Sequence, residues 1–247
     1  EIDYMIYEIT GEYNNSFEKI SENQEVSKKD DGTEFLLLGN RVPDENSFEK
    51  VSDEDILDTA KYRKKNWDLN ALTFAKIEEQ IEYYNLENPN AKIIKAIDDF
   101  TDKEIITVLL DWVYLNIDPV SEIEEVTDPY EILKSKKGDC TEISDLYAAL
   151  LKSILIPART VTGYFGGIEE GGFFGHQWNE VAIEGKWMAL DPTWNMFLEG
   201  STFHIKTNEN DDTDKNLIKK FKLRLDTIRY RDTSKTHFNK DGKIVYR

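Results

Sequence analysis

The chain has 247 residues, 39% of them hydrophobic and 12% aromatic, enough to bury a core of its own, and no apolar run approaches the roughly 18 residues needed to cross a bilayer. A net charge of −18 argues against general nucleic-acid binding, because most of this surface would repel a phosphate backbone. The single cysteine, Cys140, excludes an intramolecular disulfide and a Cys-rich zinc site.

The charge is unevenly spread: residues 215–247 carry 11 Lys/Arg against 3 Asp/Glu, which leaves −26 on the first 214 residues. A basic tail packed on an acidic body is the expected outcome. The sequence begins EIDYMIYEIT, with neither an initiator Met nor a signal-type segment. The expectation is either a trimmed chain or a mature one from which a leader was removed, and the compartment stays open, with secretion or the cell surface as the candidate.

Residues 1–50 mix short β-prone runs, Ile6 to Ile9 and Phe35 to Leu38, with polar clusters, and KKDDGTE at 28–34 reads as a turn. From Ser52 the pattern becomes helical. SDEDILDTAKYRKKN opens with a Ser cap, and NALTFAKIEEQIEYY repeats apolar residues at helical spacing. A third helix is expected across AKIIKAIDDF. TDKEIITVLLDWVYLNI then starts with Thr101 and Glu104 as a capping pair and is stopped by Pro119. DPYEILKSKKG reads as a short helix ended by Gly138, and Asp139 caps the next one, CTEISDLYAALLKSIL, ended by Pro157. On that helix Ile143, Tyr147, Leu150, Leu151 and Ile154 form an apolar stripe with Cys140 on the same face. Strand chemistry follows: ARTVTGYF, a glycine-rich loop GGIEEGGFFG, HQWNEVAI, a Glu-Gly turn and KWMALD. Helices first and an antiparallel sheet afterwards make an α+β layout.

A lone cysteine on an apolar helix face is by default a packed side chain. At a helix N-terminus, however, the dipole and the unpaired N–H groups favour a thiolate, and catalysis then needs a base and an orienting acceptor. If Glu184-Gly185 is a two-residue turn, Ile183 pairs with Lys186 and Trp178 comes opposite Asp191. His176 and Asp191 are then diagonal neighbours on one face, roughly 7 Å or less apart at Cβ. A carboxylate there fixes the imidazole tautomer and supports an imidazolium.

GDCTEISDLYAALLKSILIPARTVTGY followed by HQWNEVAIEGKWMALDPTWN resembles the core of the transglutaminase-like superfamily. The shared features are Gly-x-Cys at a helix start, Ile-Pro-Ala-Arg into a Val-x-Gly-Tyr strand, His-x-Trp-x-Glu-Val, and Trp-x-x-x-Asp-Pro-Thr. VLLDWVYLNI resembles the helix that precedes that core. The resemblance covers roughly residues 104–195. It implies a papain-like α+β core with the nucleophile helix packed on an antiparallel sheet and extra N-terminal helices. Cys140 would be nucleophile, His176 general base and acid, and Asp191 the orienting carboxylate. Two departures stand out: Asp118 follows Ile117 where the family carries an aromatic, and no Gln lies just before Cys140. The Cys140 N–H is one oxyanion donor; the second is open, with Tyr130 and Trp112 as candidates.

Gly175, closing the glycine-rich loop, and Trp178 are candidate substrate contacts beside His176; Trp178, Trp187 and Trp194 also suit core packing or a cleft wall. No metal or cofactor is expected: NENDDTDKN at 208–216 lacks the turn Gly and closing Glu of a calcium loop, and His204 and His237 have no evident partners. The domain reading is an N-terminal extension at 1–85, a catalytic core at 86–200 and a basic segment at 201–247 packed on the core. The expected partner is a protein or peptide substrate, with no nucleic acid and no membrane span. The function expected is cysteine-dependent acyl transfer or hydrolysis at a carboxamide or peptide bond; the alternative is an inactive binding or scaffold domain of the same fold.

Overall fold

The computed structural model describes residues 2–9, 24–28, 34–39, 49–90, 92–93, 95–120, 126–167, 172–197, 204–206, 221–223 and 229–230. The chain divides into two compact units, one of residues 1–48, 161–177 and 198–235, the other of residues 49–160, 178–197 and 236–247. The second unit holds Cys140. Among the described residues no helix is long and apolar enough to cross a membrane.

In the first unit, strands β1 (Ile2–Ile9), β2 (Gln24–Lys28) and β3 (Glu34–Gly39) form an antiparallel sheet in the order β2-β3-β1. The β-prone runs at 6–9 and 35–38 lie in β1 and β3, whereas β2, with Val26 as its one β-branched residue, was not anticipated. Lys28 pairs with Glu34, so the expected 28–34 turn is bracketed by a hairpin, with 29–33 outside the described residues. Late segments return to this sheet, Phe221–Leu223 and Arg229–Tyr230 both pairing with β1.

The second unit is mainly helical. Helix α1 (Asp53–Lys65) starts at a Ser52 capping box, α2 (Trp67–Glu87) follows after one residue, and α3 (Asp102–Asn116) starts at the Thr101–Glu104 box. The expected helix across AKIIKAIDDF is corrected to a single 3-10 turn at Ile97–Asp99; residues 91 and 94 lie outside the described ones. The cause is a competing side chain. Asn85 of α2 accepts the Ile93 N–H at 2.6 Å and donates to its carbonyl at 3.1 Å, taking both backbone groups away from a helical ladder.

After α3 come β4 (Asp118–Pro119), α4 (Pro129–Ser135) and β5 (Lys137–Gly138), with β4 and β5 paired in parallel. Helix α5 (Cys140–Ser153) packs against all four other helices. Ile143, Tyr147, Leu150 and Leu151 are buried as expected, but so are Ser144, Leu146, Ala148 and Ala149, so α5 is a central helix buried nearly all round. Polar ties fix its place: the Tyr147 hydroxyl donates to the Ile106 carbonyl of α3 at 2.8 Å, and Asn70 of α2 donates to the Ser153 carbonyl at 3.0 Å. It ends before Pro157, with Leu155 in the left-handed region at φ 69°.

Strands β6 (Ala158–Gly167), β7 (Gly172–Ile183), β8 (Lys186–Asp191), β9 (Met196–Phe197) and β10 (His204–Lys206) form the second sheet, in the order β10-β6-β7-β8-β9. Its described pairings are antiparallel. The run read as a loop, GGIEEGGFFG, begins and ends as strand, its first two residues in β6 and Gly172–Gly175 in β7; 168–171 lie outside the described residues. Together with the helices, this sheet makes the fold α+β.

Candidate active site

The start of α5 is held by two carboxylates. Asp139 takes an extended conformation, φ −88° and ψ −166°, and its carboxylate accepts the N–H of Thr141 at 2.6 Å and that of Glu142. Glu142 reaches back to the Asp139 N–H at 3.0 Å and accepts the Val126 N–H at 3.2 Å, although the residue is only 2% exposed. Burial pushes the Asp139 carboxyl up, but its interaction with the Glu142 side chain and the hydrogen bonds it accepts from Thr141 and from the Glu142 N–H outweigh it and hold Asp139 below the ordinary carboxylate range. Among the described residues none accepts the N–H of Cys140, the first residue of the helix, whose side chain is half-buried.

Gly138 is there because of this cap. A Cβ at 138 would lie 2.7 Å from the Glu142 Cβ, a distance real Cβ atoms do not tolerate. The expectation that Gly138 ends the preceding helix is corrected: Lys136, left-handed at φ 53°, ends α4, and Gly138 belongs to β5. The Asp118 N–H donates to the Lys136 carbonyl at 2.8 Å and the Val120 N–H to the Gly138 carbonyl at 3.0 Å, bracing the stem of the cysteine from the end of α3.

The β7–β8 hairpin has the expected register. Glu184 and Gly185 both have positive φ, 52° and 76°, as a two-residue type I′ turn requires, and Ile183 pairs with Lys186 through to Asn179 with Leu190. Beyond that pair, Trp178 precedes Asn179 on β7 and Asp191 follows Leu190 on β8. Asp191 is fully buried, and its carboxylate accepts the Thr193 N–H at 2.9 Å. Pairing of Asp191 with Met196 makes Pro192–Asn195 a tight turn. On the other flank Asn179 donates from its amide to the Ser144 carbonyl of α5 at 3.0 Å.

In the first unit, His176 stands on β7 two residues before Trp178. Its ring lies 5.4 Å from that of Phe165 and 5.7 Å from that of His204. His204 is buried on β10, paired with Phe165 of β6 and 5.0 Å from its ring, which corrects the reading that it had no partner. Two adjacent imidazoles are donor types able to hold a metal ion. His237, 208–216 and most of the basic tail lie outside the described residues.

The remaining candidates are dispersed. The Tyr130 hydroxyl donates to Asp68 of α2 at 2.5 Å, and desolvation together with that carboxylate pushes its pKa up to about 12. Trp112 is buried among the helices with the Lys76 ammonium 5.0 Å from its ring centroid. Trp178 is buried and Gly175 exposed. Trp187 is buried under the Arg159 guanidinium, 4.3 Å away, while Trp194 is half-exposed in the turn after Asp191. Arg159 in turn pairs with Glu180 and Glu49 at 2.7 and 2.5 Å, so the Arg of Ile-Pro-Ala-Arg anchors the sheet.

Residues 91–192 match the family model of the transglutaminase-like superfamily. This stretch of the chain belongs to that superfamily. Its helices and antiparallel sheet give an α+β layout. Kyphoscoliosis peptidase of Mus musculus is 29% identical over 113 residues, covering 41% of this chain and 17% of the mouse protein. The Homo sapiens protein of that name is 35% identical over 72 residues, covering 27% of this chain and 11% of its own length. The alignments thus span less than a fifth of the curated relatives. A solved candidate cysteine protease from Cytophaga hutchinsonii is 18% identical with a TM-score of 0.47, over 90% of this chain and 86% of that one.

Proposed function

We propose that the transglutaminase-like core is a thiol enzyme that cleaves or exchanges a carboxamide or peptide bond through Cys140, His176 and Asp191. The thiolate attacks the carbonyl carbon, and the Cys140 N–H donates to the developing oxyanion. The carbon–nitrogen bond then breaks, and the imidazolium of His176 gives its proton to the departing ammonia or amine, leaving a thioester. Water, or a primary amine, adds to the thioester with His176 as base, and the thiol is regenerated with an acid or a new amide as product. Asp191 holds the imidazole in the tautomer that can accept the proton.

What supports this reading is the β7–β8 register, which runs from Ile183 with Lys186 to Asn179 with Leu190; counting one position further brings Trp178 opposite the buried Asp191, and His176 lies two residues before Trp178 on β7. The capped start of α5 supports it from the other end, since both caps leave the Cys140 N–H available for an oxyanion. Incubation with a glutamine-containing peptide and a primary amine, read by mass spectrometry, separates amine incorporation, deamidation and cleavage. Cys140→Ser should abolish all product, and His176→Ala should lower the rate by on the order of 10²–10⁴-fold. Because Cys140 is the only cysteine, its alkylation rate is a second readout. No turnover, with equal alkylation of wild type and His176→Ala, would sink the proposal.

A further inference from the structure

We propose that Asp111 is a positioning residue that locks the Asp191 turn to helix α3 through Asn195; its effect on turnover rests on the function proposed above. The amide of Asn195 donates to one Asp111 oxygen at 2.6 Å, 84 residues away in sequence, and the Tyr84 hydroxyl of α2 donates to the other. With both oxygens engaged from different elements, the carboxylate has one orientation, and both bonds are charge-assisted. Burial and the Asp111 charge push the Tyr84 phenol well above its ordinary range, so Tyr84 remains a proton donor.

The turn is built to use this anchor. Asn195 sits in the left-handed region at φ 51°, which Asn enters at little cost, and it immediately precedes Met196, the strand partner of Asp191. The turn is therefore tied at its first half by Thr193 N–H to Asp191 and at its last residue by Asn195 to Asp111. Helix α3 also carries the Ile106 carbonyl that receives the Tyr147 hydroxyl of the cysteine helix. Nucleophile helix and carboxylate turn thus take their positions from the same helix, and a shift of either against it changes the spacing the chemistry needs.

The test compares D111A, N195A, Y84F and the swap D111N/N195D, which exchanges donor and acceptor across the pair. D111A and N195A should each lower kcat by about 10- to 100-fold with KM within about two-fold, and the swap should recover most of the loss. Y84F should lower kcat less, because Asn195 keeps its acceptor. A tie that serves stability alone would lower Tm and leave kcat of the folded variants unchanged; that result, or a swap no better than the two singles combined, overturns the proposal. Should wild type show no turnover, the proposed function fails, and the clamp is then judged by hydrogen exchange. Loss of protection at the Thr193 amide in D111A and N195A, with recovery in the swap, supports the clamp; unchanged protection refutes it. N195A and the swap keep the test decisive if D111A fails to fold.

Discussion

Helices α3 and α5 begin with the same local device in different settings. At α3 the Thr101 hydroxyl accepts the Glu104 N–H at 3.3 Å and Glu104 returns to the Thr101 N–H at 2.8 Å, all at the surface, with Lys95 paired to the same Glu at 2.6 Å. At α5 both members of the box are carboxylates, the glutamate is buried, and it also holds Val126. A surface cap needs only to satisfy the first-turn N–H groups, and water can replace it. A buried cap has no such substitute; it also grips Val126, and the glycine it forces at 138 lies two residues before the cysteine. The shared motif therefore only starts one helix and, at the other, also fixes where a sulfur sits.

Glu142→Ala breaks this contrast most strongly. It strips the acceptor from the part-buried N–H groups of Asp139 and Val126, and a donor left unpaired away from water costs about 1–3 kcal/mol. A loss of roughly 2–3 kcal/mol in urea denaturation is expected, with a changed alkylation rate at Cys140. A loss below that of a surface cap would mean that water reaches the site.

Asp139→Ala sharpens the contrast through pH. Removing an N-cap acid costs about 1 kcal/mol at neutral pH. The folded pKa of Asp139 is depressed, so its stabilisation is complete above the unfolded carboxylate value of about 3.9 and is lost as pH falls through the lower folded value. Wild type and Asp139→Ala should therefore differ at pH 7 and converge as pH falls through the depressed folded value in chemical denaturation. A gap that stays constant with pH would show that the carboxylate charge is not what caps the helix.

The parts of this site that sequence made legible are those fixed by local rules. Glu-Gly as a two-residue turn sets the hairpin register, so the pairing of Ile183 with Lys186 through to Asn179 with Leu190 follows from counting. Thr101 with Glu104 is a capping box on sight. Asp139 and Glu142 have the same spacing, yet in sequence only Asp139 reads as a cap, because a Glu in a first turn also reads as dipole compensation. Long-range commitments were hidden. The helical spacing of AKIIKAIDDF lost to an Asn85 side chain, small residues on α5 disguised its burial on all sides, and nothing near Asp111 points 84 residues ahead to Asn195.

The smallest effect is expected at Thr101→Ala, and its size tests the comparison from the other end. Thr101 contributes one hydroxyl acceptor to an exposed N–H, so its removal should cost about 0.5–1 kcal/mol, the range of surface caps. Glu104 keeps its bonds to the Thr101 N–H and to Lys95, which limits the loss further. Exposed groups also rehydrate freely on losing a partner, whereas the part-buried N–H groups held by Glu142 have less access to water. Alkylation of Cys140 should be unaffected, since α3 is tied to α5 through Ile106, beyond the first turn that Thr101 caps. If Thr101→Ala instead slowed alkylation as much as Glu142→Ala, the two caps would be acting through helix stability alone, and the positional role assigned to the α5 box would fall.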